Sequence, residues 1–258
     1  MSDVVGETEF LASDTGSKPT AIGMMLAALY AVSALIPLSG FLAATGFTST
    51  ISLAIIIAPL FGVILGPVRG SGFGLIAGVL ATFVSLAVGG IYLVVPTTIL
   101  GPAVSGLFTG LARKSVTGIR GIRLPGPAIC AVYLFIVVLL YEIPNWTTWW
   151  FASPYMLAAV VALGLQFYKK DILTEDDEEP NHWRIALLAF VGTMTDFSMM
   201  TIGAVYILAI PPEVFGFAIF PLMLIERSLA TVVSSILLVM IFGVFRQDLF
   251  FGQNAAES

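Results

Sequence analysis

Two long apolar runs near the C-terminus, Trp183 to Ile210 and Phe215 to Phe245, are separated by little more than Pro211-Pro212. A helix needs about 20 apolar residues to cross a bilayer's hydrocarbon, so the runs predict a membrane-spanning helical hairpin. Both carry charge in their interiors: Asp196 in the first, Glu226-Arg227 in the second. Asp196 lies 15 residues before Pro211, and Arg227 lies 15 after Pro212. At about 1.5 Å rise per residue, each is roughly 22 Å from the turn. The hairpin therefore brings them to similar depth, well inside the hydrocarbon. Charges there are expensive, and they face a bundle interior or a water-filled cavity, where they pair. These three residues are the sequence's sharpest pointer to a working site.

The rest of the chain has the same character. Of 258 residues, 58% are hydrophobic and 10% charged, with mean hydropathy +1.01. A soluble protein carries about 25% charged residues. The reading is an all-α, multi-pass integral protein of the cell membrane. About eight spans are expected, near 21–42, 51–67, 70–89, 92–112, 126–143, 149–168, 184–210 and 215–245. The second is the shortest. The last is long enough to tilt or to project from the bilayer.

Lysine and arginine orient the spans. With the N-terminus in the cytoplasm, Lys18, Arg69, Arg113, Lys114, Arg120, Arg123, Lys169, Lys170, Arg184 and Arg246 all fall on the inner side. The opposite loops, near 43–50, 90–91, 144–148 and 211–214, hold no lysine or arginine. The eleventh basic residue is Arg227, in the interior of the last span. This asymmetry predicts both termini in the cytoplasm. Residues 1–19 read as a disordered N-terminal tail and 20–246 as one transmembrane domain. An acidic cytoplasmic loop spans 171–183, and 247–258 reads as a C-terminal tail.

Several function classes are disfavoured. The formal net charge of −5 gives no reason to expect nucleic-acid binding. Cys130 is the only cysteine and His182 the only histidine, so the several nitrogen or sulfur ligands of a zinc site are absent. There is no metalloprotease helix, no Gly-x-Ser-x-Gly elbow and no phosphate-cradling loop. The expectation is a non-enzyme without catalytic residues, metal or cofactor.

Asp196 is the natural partner of Arg227. Glu226 points about 100° away from Arg227 on the same helix. It therefore meets another helix or is protonated. Thr193, Met194, Thr195, Ser198 and Thr201 surround Asp196 in a mixture that suits a polar pocket. Asn145-Trp146-Thr147-Thr148-Trp149-Trp150 occupies an outer loop, as an interfacial aromatic belt or as a stacking lid with Asn145 and Trp149 at a flat ligand. Small residues recur at four-residue spacing: Gly23, Ala27 and Ala31; Gly70, Gly74 and Gly78; Gly106 and Gly110. Such stripes let helix backbones approach closely, inside the bundle or against another membrane subunit. The Gly23–Ala27–Ala31 face is the best placed for docking a partner.

Several stretches carry a family resemblance. They are Ala27-Ala28-Leu29-Tyr30-Ala31-Val32, Leu65-Gly66-Pro67-Val68-Arg69-Gly70 and Gly101-Pro102 through Arg113-Lys114. Gly192-Thr193-Met194-Thr195-Asp196 and Ile225-Glu226-Arg227-Ser228-Leu229 add to them. Together the chain resembles the substrate-binding, or S, component of energy-coupling factor transporters of archaeal type, over roughly two thirds of its length. The resemblance implies a helical membrane protein that captures a vitamin or metal ion from outside. It implies a transmembrane coupling subunit and cytoplasmic ATPases as partners, docked through Ala27 and Ala31, and a ligand beneath the loop at about 43–50. The family has six spans where eight are read here, so no ligand residues are carried over from it.

Two other classes stand beside this one. An autonomous proton- or cation-coupled transporter or channel would use Asp196 and Glu226 as carriers. A non-catalytic subunit of a larger membrane complex would use Asp196 and Arg227 as a structural clamp.

Overall fold

The computed structural model describes residues 17–36, 52–87, 95–119, 122–168, 172 and 180–254. It is a bundle of helices: α1 (Ser17–Ser33), α2 (Ala58–Leu65), α3 (Pro67–Ala87), α4 (Val95–Ala112), α5 (Gly126–Asn145), α6 (Ser153–Phe167), α7 (His182–Tyr206) and α8 (Phe220–Asn254). Tighter 3-10 turns cover Leu53–Ile56 and Trp146–Ala152, and a π-helical stretch, Val214–Ile219, leads into α8. A short antiparallel hairpin joins α4 to α5, with β1 (Thr117–Ile119) paired to β2 (Ile122–Leu124).

Four helical stretches are long and apolar enough to cross a membrane: Pro67–Ala87, Gly126–Phe167, His182–Tyr206 and Val214–Gly243. The second of these has 42 residues, about twice what a bilayer requires. It folds back on itself. Thr148 leaves helical geometry (φ −124°, ψ 41°), and α5 and α6 then pack side by side. Gln166, near the end of α6, ties the arms at their far ends. Its Oε1 accepts from Ala128 N at 3.2 Å, and its Nε2 donates to Ser115 O at 2.8 Å.

The stretch expected to cross at 51–67 is different in kind. Its α-helix has 8 residues, about 12 Å of rise. Gly66 ends it in the left-handed region (φ 77°), and Pro67 opens α3 at once, where its missing N–H is harmless. Ala58, Phe61 and Val63 are fully buried. A segment wrapped by protein on all sides need not match the hydrocarbon thickness, because its ends do not face lipid.

The ends of the domain also shift from expectation. Ser17, Lys18 and Pro19 belong to α1 rather than to a tail, and α8 continues to Asn254, past the boundary at 246. Helix α7 stops at Tyr206, four residues before the apolar run ends. Ile207 N and Leu208 N both donate to Gly203 O, and Ala209 turns left-handed (φ 49°).

Glycine packs the first half of the bundle. A Cβ on Gly74 would strike Pro102 O, one on Gly78 would strike Ile99 O, and one on Gly106 would strike Gly70 O. Gly62 meets α4 at Gly106 and Gly110, and Gly110 in turn meets Pro67. Backbones of α2, α3 and α4 therefore touch directly, so these stripes serve internal packing.

Candidate functional site: a buried charge cluster between α7 and α8

The turn linking α7 to α8 is broader than Pro211-Pro212, yet the helices still run antiparallel and bring the two charges together. Arg227 Nη1 lies 3.4 Å from Asp196 Oδ2 and 3.2 Å from Thr193 O, to which it donates. The guanidinium also sits over the Phe197 ring, 4.3 Å from its centroid. Asp196, Glu226 and Arg227 are 4%, 2% and 3% exposed. On its far side the Asp196 carboxylate faces Gly101 of α4. A Cβ there would sit 2.7 Å from Oδ1, so glycine makes the room.

Most of the cluster's hydrogen-bonding capacity is unused. Neither carboxylate oxygen of Glu226 has a partner, and neither do Nε and Nη2 of Arg227. Buried polar groups are almost always hydrogen-bonded, and each exception requires an explanation. Glu226 cannot answer Arg227, because consecutive helix residues diverge by about 100°. Instead it shares a face with Ala230, one turn further on, which packs on Ile55 and Ile56. Ser234 anchors the same face by donating to Ile56 O at 2.6 Å. Glu226 thus lies on the side of α8 turned toward the Leu53–Ile56 turn.

The hydroxyls around Asp196 are buried but do not serve it. Thr195 donates to Gly192 O and Thr193 to Phe190 O, each three residues back. Ser198 donates to Thr195 O and meets Tyr133 Oη at 2.6 Å; Thr201 meets Tyr155 Oη at 2.6 Å. Tyr155 stacks on Phe197 with rings 6.3 Å apart and 6° from parallel. The polar pocket expected from Thr193, Met194, Thr195, Ser198 and Thr201 is therefore a supporting wall. It fixes Phe197, and Phe197 fixes the guanidinium.

Asn145 and Trp149 belong elsewhere. Asn145 is buried and donates to Tyr141 O at 3.3 Å, while its backbone carbonyl accepts from Thr148 Oγ1 at 3.2 Å. Its side chain holds the end of α5 at the α5–α6 turn. Trp149 is 65% exposed and meets only the edge of Trp150 among the ring contacts. Trp150 is the anchored member, donating from its indole to Gly216 O at 3.2 Å. Trp146 is exposed as well.

The Gly23–Ala27–Ala31 stripe is also reassigned. All three residues are buried, and a Cβ on Gly23 would overlap the Phe73 ring of α3. The stripe is used inside the molecule. The outward face of α1 carries Met24, Met25, Leu29 and Val32.

One buried charge escaped the sequence reading. Arg184 was grouped with the basic residues of the inner side, and it is fully buried. It donates through Nε and Nη2 to Arg113 O, at 3.1 and 2.7 Å, and through Nη1 to Tyr168 O at 2.7 Å. Those carbonyls lie just past the ends of α4 and α6, where helix carbonyls lack partners and a cation is favoured. Its place at the start of a long apolar helix was the available signal.

An open groove between α7 and α8, lined by His182, Trp183, Ala186, Ser235, Ile236, Val239 and Met240, has a mostly apolar surface and stands about two to three helical turns from the charge cluster. It has none of the cluster's chemistry. No protein-family model, curated protein or solved structure matches the chain.

Proposed function

We propose that this protein takes up a small solute across the cell membrane and that Asp196, Glu226 and Arg227 form its binding site. The observation that carries the reading is the unused capacity of Glu226 and Arg227 in a buried place. A purely structural clamp would use its donors and acceptors internally, because each one left open destabilises the fold by about 1–3 kcal/mol, and more for charged groups. An Arg227–Asp196 contact of 3.4 Å that leaves two guanidinium nitrogens open is suited to a third participant.

In this reading the chain acts as the substrate-binding component of an importer of the energy-coupling factor type, as its resemblance implies. A transmembrane coupling subunit and cytoplasmic ATPases would drive it. The inward-facing Gly23, Ala27 and Ala31 do not serve that docking; the outer face of α1 at Met24, Met25, Leu29 and Val32 is the surface open to a coupling subunit. We further propose eight passes with both termini in the cytoplasm. The distribution of Arg69, Arg113, Lys114 and Arg123 supports this orientation, with the short α2 shielded by its neighbours.

A second reading, cation- or proton-coupled transport without partners, draws on the same open carboxylate of Glu226. Affinity purification from native membranes under gentle extraction separates the two. Co-purifying ATPases with ATP-dependent uptake in reconstituted vesicles support the importer. Uptake by the isolated chain, driven by an ion gradient alone, supports the second reading.

A further inference from the structure

The charges of the cluster do not balance. Asp196 and Glu226 each carry −1 when ionised and Arg227 carries +1, which leaves one negative charge without a counterion. Asp196 and Arg227 are in contact and neutralise each other, so the excess resides on Glu226. Both its oxygens lack a donor and the residue is 2% exposed. An ionised carboxylate buried in that state is strongly disfavoured, so Glu226 either holds a proton or meets a cation. On the adjacent residue, about 100° round the helix, the need is opposite: Arg227 Nε and Nη2 lack an acceptor.

These demands define the missing occupant. An anion would satisfy Arg227 but add to the excess negative charge. An apolar solute would satisfy neither residue. A bare alkali cation would balance the charge and leave the guanidinium open. A molecule with a positively charged donor and a nearby acceptor atom meets every requirement at once. We propose that the solute is a small organic cation, a protonated amine or amidine that seats its charge on Glu226 and an oxygen or nitrogen acceptor on Arg227 Nε and Nη2. The assignment rests on the uptake reading above and narrows it to one chemical class.

Thermal melting of the full-length protein in detergent tests it, with ethanolammonium chloride, sodium glycolate and acetamide as probes. Without probe, Glu226→Gln should melt at least about 2 °C higher than wild type, since it removes an unbalanced buried charge and keeps the shape. Millimolar ethanolammonium should raise the wild-type melting temperature, leave Glu226→Gln unchanged and exceed the effect of the other two probes. A lower melting temperature for probe-free Glu226→Gln would show a carboxylate already engaged in the fold and overturn the proposal. So would stabilisation by glycolate or acetamide equal to that by ethanolammonium, a full response in Glu226→Gln, or no wild-type response to any probe.

Uptake is scored apart from binding, with labelled ethanolammonium and native-host cells expressing wild type or Glu226→Gln. Glu226-dependent binding without Glu226-dependent accumulation removes the uptake reading and keeps the cation site. Loss of the cation response, in protein that still retains an anionic or neutral solute from its own membrane, removes the cation assignment and keeps uptake.

Discussion

The α3–α4 and α7–α8 interfaces lie in one bundle and solve opposite problems. Between α3 and α4, Gly70, Gly74, Gly78 and Gly106 let main chain touch main chain. No side chain intervenes, and that contact is complete without any other molecule. Between α7 and α8, Asp196, Arg227 and Glu226 hold charge away from water, and four of their polar atoms have no partner. In a medium where apolar surface gives helices little reason to associate, close packing is what holds a bundle together. The first interface is explained by that need. The second departs from it, and that departure is the ground on which a site is proposed there.

The largest expected effect attacks the first interface. Gly74→Leu would push a side chain into the backbone at Pro102, with no flexible neighbour to yield. It should abolish monodisperse protein on size-exclusion chromatography; near-wild-type yield would show that α3 and α4 are not in direct contact. The next effect concerns the second interface. Arg227→Ala leaves Asp196 buried and unpaired, which should destabilise the fold by about 3–5 kcal/mol. Asp196→Asn combined with Arg227→Gln removes both charges and should recover most of that stability, read by thermal melting. It should not recover solute binding. Recovery of both would reduce the pair to a clamp.

Smaller effects refine the contrast. Ala27→Leu overfills the buried face of α1 and should cost about 1–3 kcal/mol, whereas Ala28→Leu, one residue on and exposed, should stay within about 0.5 kcal/mol. Equal melting temperatures for the two would mean that α1 is rotated from the orientation described. Asn145→Ala should cost about 1 kcal/mol through its bond to Tyr141 O and leave solute binding intact.

Much of the fold was legible because apolar length is a direct requirement of the bilayer. The helical pattern and the pairing of Asp196 with Arg227 both follow from run lengths and from the cost of isolated charge. What was not legible depended on local geometry. Gly66 and Pro67 could have marked any turn, and only burial on every side explains how a helix of 8 residues fits just before them. Thr193, Thr195 and Ser198 have hydroxyls that suit a pocket, yet hydroxyls on a helix also bond backward to their own carbonyls, and here they do. Four-residue spacing brought Gly23, Ala27 and Ala31 to one face but could not say whether that face points in or out. Gly101 gave no sign that it makes room for the Asp196 carboxylate, since that contact joins segments 95 residues apart. The expectations for the loop at 43–50 and for residues 173–179 of the acidic loop fall outside the described residues.

The most direct test of a solute site at the α7–α8 charges is native mass spectrometry of the protein extracted gently from its own membrane. A discrete small organic cation retained by wild type, and lost in both Glu226→Gln and the Asp196→Asn/Arg227→Gln pair, is the expected result. A bare wild-type chain, or a bound mass indifferent to those substitutions, would contradict it.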